Sequence, residues 1–274
     1  RKALKENRPE WLEVIKGHSK FFLIVTAVAG AMTGVGIWFA IGLANPEGTS
    51  TLIHNFVFFW AIEYTFFLTE ITAAAVYYYT WGRVSDRLHL AIGWVYAGTA
   101  WMSLFVINGI LTFMLTPGLA WLEVTPGEAS SVIWQAFFNP TYWPSLFLRT
   151  VITLTLAGLW AFSTASQIDA ERNGQLKSDV MRWSVKWLVP GFVLLPFLLL
   201  WYVGRIPLEQ VSLLQVGIDT IGIGTFSMVT RVALVTIMTS ATIIAIAYFF
   251  AWRHPRDFKV GHAVALLCLG LAGM

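Results

Sequence analysis

Long apolar runs separated by short polar stretches dominate the chain. Stretches of about 20 or more apolar residues occupy 21–43, 54–80, 90–115, 143–166, 184–204, 222–252 and 260 onward. A helix needs roughly 20 residues to cross the hydrocarbon core, and backbone groups in lipid must pair within the segment, so the pattern predicts seven transmembrane helices. The fold class expected is therefore all-α, a polytopic transmembrane bundle of about seven spans, with residues 1–20 as an N-terminal arm and 21–274 as the helical domain. The 222–252 run is long enough to tilt or protrude and begins near Gly222 and Gly224, while Pro190 and Pro196 predict a kink in the fifth span. The long loop at 116–142 carries Pro117, Pro126 and Pro140, and its stretch from Ala129 to Phe138 predicts a short interfacial helix.

Composition agrees and removes the alternatives. Hydrophobic residues make up 57% and charged residues 12% of the 274 residues, against roughly a quarter charged in a soluble domain. The mean hydropathy is +0.67. The 14 Trp, 8 Tyr and 20 Phe exclude disorder. The single cysteine, Cys268, excludes a disulfide framework or a cysteine metal cluster. The first 20 residues are charged and do not form a signal peptide. A chain that starts at Arg1 and stops at Met274 inside an apolar run is expected to be part of a longer one.

Fifteen of the eighteen lysines and arginines fall in the N-terminal arm and in the loops around Arg83, Lys177 and Arg256, all on one side. The positive-inside rule places that side, and the N-terminal arm, in the cytoplasm. The net charge of +3 is thus a topology signal and offers no support for nucleic acid binding. Trp81, Trp121, Trp143, Trp187, Trp201 and Trp252 lie near span ends and read as interfacial belt residues.

Four charges fall within spans: Glu63, Glu70, Arg149 and Arg231. Each costs roughly 2.5–3.5 kcal/mol or more at the bilayer centre unless paired or hydrated, so each is a functional candidate. Glu63 and Glu70 are seven residues apart, which puts two carboxylates on one helix face about 10 Å apart. Such a pair can relay protons or ligate a metal or haem iron, or it can be hydrogen-bonded structurally to neighbouring helices. Glu63, Arg149 and Arg231 sit at similar depth, which permits a Glu63–Arg149–Arg231 cluster; the rival role for either arginine is a haem propionate. His18, His54, His89, His254 and His262 all lie near span ends, where an interfacial hydrogen-bonding role outweighs a bis-histidine haem. No GxSxG, HExxH, P-loop or GxGxxG site stands in a suitable context.

At the second and third spans the chain resembles subunit I of the cytochrome bd quinol oxidases. Ala61-Ile62-Glu63 through Phe67-Leu68-Thr69-Glu70, then Trp81-Gly82 and Asp86-Arg87-Leu88, is similar to that family's AIE…FLE…GWDRL run, which has one residue more between the acids. Asn108-Gly109 resembles its ANG, Gly30-Ala31-Met32-Thr33-Gly34 its GVATG, and Asn139-Pro140 its LNP. Ser227 to Val235, with Arg231, resembles its FR-x-M segment. The resemblance implies that Glu63 and Glu70 lie by high-spin haems and on a proton route. It also implies two departures. The histidine and methionine that hold the family's low-spin haem b fall at Arg149 and Ala233, so that haem is expected to be absent or differently bound. The family's quinol-binding loop corresponds to a connection of only Gly204 to Ile221.

Two functions follow as expectations. One is a membrane subunit of a bd-related respiratory complex, with b-type or d-type haem. It would sit in the bacterial inner membrane beside a second membrane subunit, with quinol or a c-type cytochrome as donor. Catalytic candidates are Glu63 and Glu70, and cofactor candidates are Arg231, Arg149, Glu63 and Glu70. The other is a cofactor-free structural paralogue in which Arg149 and Glu63 fill former haem space. A proton or ion transporter rests on the glutamate pair alone.

Overall fold

The computed structural model describes residues 2–6, 8–125, 127–207 and 228–273. It is helical, without strands among these residues. The chain divides into two compact units, Arg1–Tyr142 and Trp143–Met274.

The first unit opens with a short helix α1 (Lys2–Lys5) and a long helix α2 (Pro9–Ala44). Helix α2 takes a π turn over Val25–Gly30 and carries part of the polar arm as its first turns. Its apolar window is not buried; Met32, Val35, Phe39 and Leu43 are each about 70% exposed. In a membrane that surface meets lipid tails or another subunit. Helix α3 (Pro46–Asn55) is started by Pro46 and by the Asn45 side chain, which accepts from the Gly48 amide at 2.9 Å. Helices α4 (Val57–Tyr79) and α5 (Asp86–Leu115) form an antiparallel hairpin. Its turn needs a left-handed residue, supplied by Gly82 at φ +73°, and Ser85 caps the start of α5. After α6 (Leu119–Leu122), a 3₁₀ turn over Ala129–Val132 leads into α7 (Ile133–Phe137), the short helix expected there.

That loop is locked onto the α4–α5 hairpin. Phe137 stacks on Phe59 with ring centroids 4.1 Å apart, and it lies so close to Gly109 that any Cβ there would overlap its ring. Beside it Asn139 is buried and donates to Thr112 Oγ1 at 2.9 Å and to the Ala136 carbonyl at 3.1 Å, while Thr116 and Thr141 also contact it. Asn108 donates to the Tyr142 carbonyl at 3.0 Å. The Asn-Gly and Asn-Pro motifs of the sequence thus meet in one buried polar cluster.

The second unit comprises α8 (Tyr142–Ser166), α9 (Ala170–Val203), α10 (Met228–Ile246, then a π turn Ala247–Arg253) and α11 (Val260–Gly273). Helices α8 and α9 cross closely through small residues: Gly158 lies against the Leu188 backbone, and Gly191 against Thr155. Helix α9 keeps its helical backbone through Pro190 and Pro196; the departure from helical dihedrals falls instead at Asn173. The expected start of the sixth span, with Gly222 and Gly224, lies outside the described residues.

Among the described residues five helices are long and apolar enough to span a membrane, and Ile237–Arg253 and Val260–Gly270 are shorter apolar helices. The seven coincide in order with the seven runs of the sequence. The chain is a multi-pass helical membrane protein.

Candidate functional site

Three pairs of side chains face one another along the α4–α5 hairpin. They recur every seven residues on each helix and run in opposite order, because a tight turn fixes an antiparallel register. Deepest is Glu63 on α4, which accepts a hydrogen bond from Ser103 Oγ on α5 at 2.8 Å. One heptad nearer the turn, Glu70 faces Tyr96, whose hydroxyl lies in the field of that carboxylate and is hydrogen-bonded to Thr26. Thr26 belongs to the π turn of α2, so three helices meet at Glu70. Nearest the turn, Tyr77 stacks on His89 at 4.2 Å with ring planes 16° apart, and His89 Nε2 is 2.9 Å from the Tyr77 carbonyl. Trp81 packs edge-on against the same imidazole. Glu63 and Glu70 are both half-buried. They lie close enough for their charges to interact.

This seam can hold and move protons. Carboxylates, hydroxyls and an imidazole alternate along it, and each can accept one hydrogen and pass on another. A pair of acids in apolar surroundings is costly unless it is hydrogen-bonded or hydrated; Ser103 supplies a hydrogen bond to Glu63, and the Tyr96 hydroxyl lies in the field of the Glu70 carboxylate.

Arg149, half-buried on α8, donates from Nε to Ser145 Oγ at 3.2 Å and lies near Tyr202. It has no carboxylate partner within 4 Å among the described residues. The Arg231 side chain lies outside the described residues, although its backbone belongs to α10. The cluster expected of Glu63, Arg149 and Arg231 would join residues of both units.

The histidines have local partners. His54 Nδ1 is 2.8 Å from the Ser50 carbonyl, and His262 Nδ1 accepts from the Lys259 amide at 3.0 Å and stacks on Phe250. His18 packs against Phe22, and His254 lies 4.0 Å from Asp257. Among the described residues no three His, Cys, Asp or Glu side chains gather as a metal site.

Glu63 and Glu70 were legible as a pair. Tyr96, Ser103, Tyr77 and Thr26 were not singled out, yet a signal was present: His89, Tyr96 and Ser103 repeat the heptad of Tyr77, Glu70 and Glu63 in reverse.

The hairpin with its inward acid pair defines a class, a multi-pass helical protein with ionisable groups held inside its spans. The family is set by comparison. The sequence model for cytochrome bd terminal oxidase subunit I matches residues 1–215, well over half of the chain, and the chain belongs to that family. Neither the curated proteins nor the solved structures give a match. The membership makes this a respiratory-oxidase-related membrane subunit. The family binds haem, transports electrons, and normally pairs with a second subunit and with quinol. Nothing supports the c-type cytochrome expected as another donor.

Proposed function

We propose that the chain is a haem-associated subunit of a respiratory electron-transfer complex in the bacterial cytoplasmic membrane. Its N-terminal arm faces the cytoplasm, and Glu63 and Glu70 bring protons towards the redox centre. The observation that carries this reading is the half-buried carboxylate pair, with Glu63 held by Ser103 at 2.8 Å and Glu70 faced by Tyr96. Burying two acids on one face costs several kcal/mol, a cost that packing alone does not repay. The charge asymmetry of the loops supports the orientation.

Haem, when bound, supplies one-electron and oxygen chemistry. The residues fit it unevenly. Carboxylates at Glu63 and Glu70 suit the neighbourhood of a high-spin haem. Arg149 lacks an acid partner within 4 Å among the described residues and suits an anionic group such as a propionate, a role open to Arg231 as well. They do not fit the low-spin haem b. Where the family has its two iron ligands this chain has Arg149 and Ala233; a guanidinium is a donor without an acceptor lone pair, and alanine offers no ligand atom. That replacement favours the second reading, a cofactor-free companion that supports a catalytic partner subunit.

The test is Glu63→Gln and Glu70→Gln in the native complex, with oxygen reduction and haem content measured together. A proton role predicts that turnover falls about 100-fold or more with haem retained. A haem-side role predicts loss of haem. Unchanged turnover and unchanged haem in both variants contradict the reading.

A further inference from the structure

Between Glu70 and the hairpin turn at Gly82, α4 offers no further acid. A proton that reaches Glu70 from that rim therefore needs other carriers, and the seam provides one at each heptad. At the rim, the Tyr77 carbonyl can only accept, so His89 Nε2 carries the hydrogen of that 2.9 Å bond. Nδ1 is then the basic nitrogen of the neutral ring. His89 is half-buried, between the stacked Tyr77 and Trp81, in the first turn of α5 near the exposed residues of the hairpin end, Arg83 in the turn and Asp86 and Arg87 at the helix start. One heptad deeper, Tyr96 is held from a third helix by Thr26. The helix α2 makes its π turn at that level, a distortion that recurs at functional positions.

We propose that His89 takes up protons at the hairpin rim and that Tyr96 passes them to Glu70, so that the α4–α5 seam is the proton entry of this subunit. The proposal rests on the reading of Glu70 as part of a proton route. A proton adds to His89 Nδ1 and leaves to water. Tyr96 Oη accepts it from water as its own hydroxyl proton goes to the Glu70 carboxylate. The phenol does not ionise, no electron moves, and one proton entering leaves one proton on Glu70. Successive pairs lie two turns apart, about 10 Å, a distance bridged by water.

The experiment uses the native complex in liposomes, driven by ubiquinol-1 and oxygen, with proton uptake followed by an entrapped pH dye. Tyr96→Phe and His89→Gln are expected to slow proton uptake and turnover about tenfold or more, with the haem spectrum and the KM for quinol unchanged. The double variant is expected to be no slower than the worse single one, because both groups serve one route. Added imidazole is expected to restore His89→Ala, which a purely structural role does not predict. Thr26→Val, which keeps the tyrosine ring in place, is expected to slow the same step and serves if Tyr96→Phe fails to assemble. Wild-type rates in Thr26→Val and His89→Gln, with Glu70→Gln blocked, overturn the proposal and leave the proposed function standing. A wild-type complex without quinol-driven turnover, or an unimpaired Glu70→Gln, overturns that function and the proposal with it.

Discussion

Asn139→Ala tests how the long loop is held on the hairpin. Asn139 is 2% exposed. Its amide donates to Thr112 Oγ1 at 2.9 Å and to the Ala136 carbonyl at 3.1 Å, and its oxygen accepts from Thr141 Oγ1 at 3.1 Å and from the Thr141 amide at 3.3 Å. A side-chain hydrogen bond within a membrane protein is worth about 0.6 kcal/mol on average and up to about 1.7 kcal/mol. Four such bonds, two of them stretched, give about 2 kcal/mol. The buried groups left unpaired keep the loss from falling lower. Thr65→Ala is the matched control, since its exposed hydroxyl bonds only the Ala61 carbonyl one turn back on its own helix. Denaturant titration of the detergent-solubilised complex reads both. Asn139→Ala should lower the unfolding free energy by about 2 kcal/mol, with Thr65→Ala within about 0.5 kcal/mol of wild type. Equal midpoints for the two would refute the reasoning, because the cluster would then hold nothing together.

Further expectations concern packing and the acid pair. Gly109→Ala drives a Cβ into the Phe137 ring, whereas Gly98→Ala meets open space. The first should destabilise by about 1–3 kcal/mol and the second should be neutral or stabilising by up to about 1 kcal/mol, as read by thermal melting of the complex. Ser103→Ala removes the donor to Glu63 and should slow quinol-driven oxygen reduction about tenfold, with haem content unchanged; a wild-type rate would show that Glu63 needs no partner.

The spans were legible because the bilayer imposes one rule, about 20 apolar residues per crossing, and the chain obeys it from 21–43 onward. Helix ends were less legible. The fifth span, α9, begins at Ala170, well before the apolar run at 184, because Glu171 to Lys186 mix charged residues with buried ones such as Leu176, Val180 and Met181, a helical pattern that hydropathy passes over. Glu63 and Glu70 stood out because a charge in an apolar run is rare. Ser103 and Tyr96 did not, since a hydroxyl among apolar residues is common and gains meaning only when a facing helix is in register. That register is fixed by the turn at Gly82, a property of the hairpin rather than of either helix. At Pro190 and Pro196, where the sequence predicts a kink, the backbone keeps helical dihedrals, and α8 packs closely on α9 around Gly158 and Leu188. Asn108-Gly109 and Asn139-Pro140 were visible as motifs, but their meeting required the loop to fold back.

The most direct measurement is a dithionite-reduced minus oxidised spectrum of the purified native complex, with extracted haem counted per copy of this chain, repeated on the chain separated from its partners. Haem is expected in the native complex and is expected to stay with the separated chain. No haem in the separated chain, with full haem content in the remaining subunits, would contradict this and make this chain the cofactor-free companion.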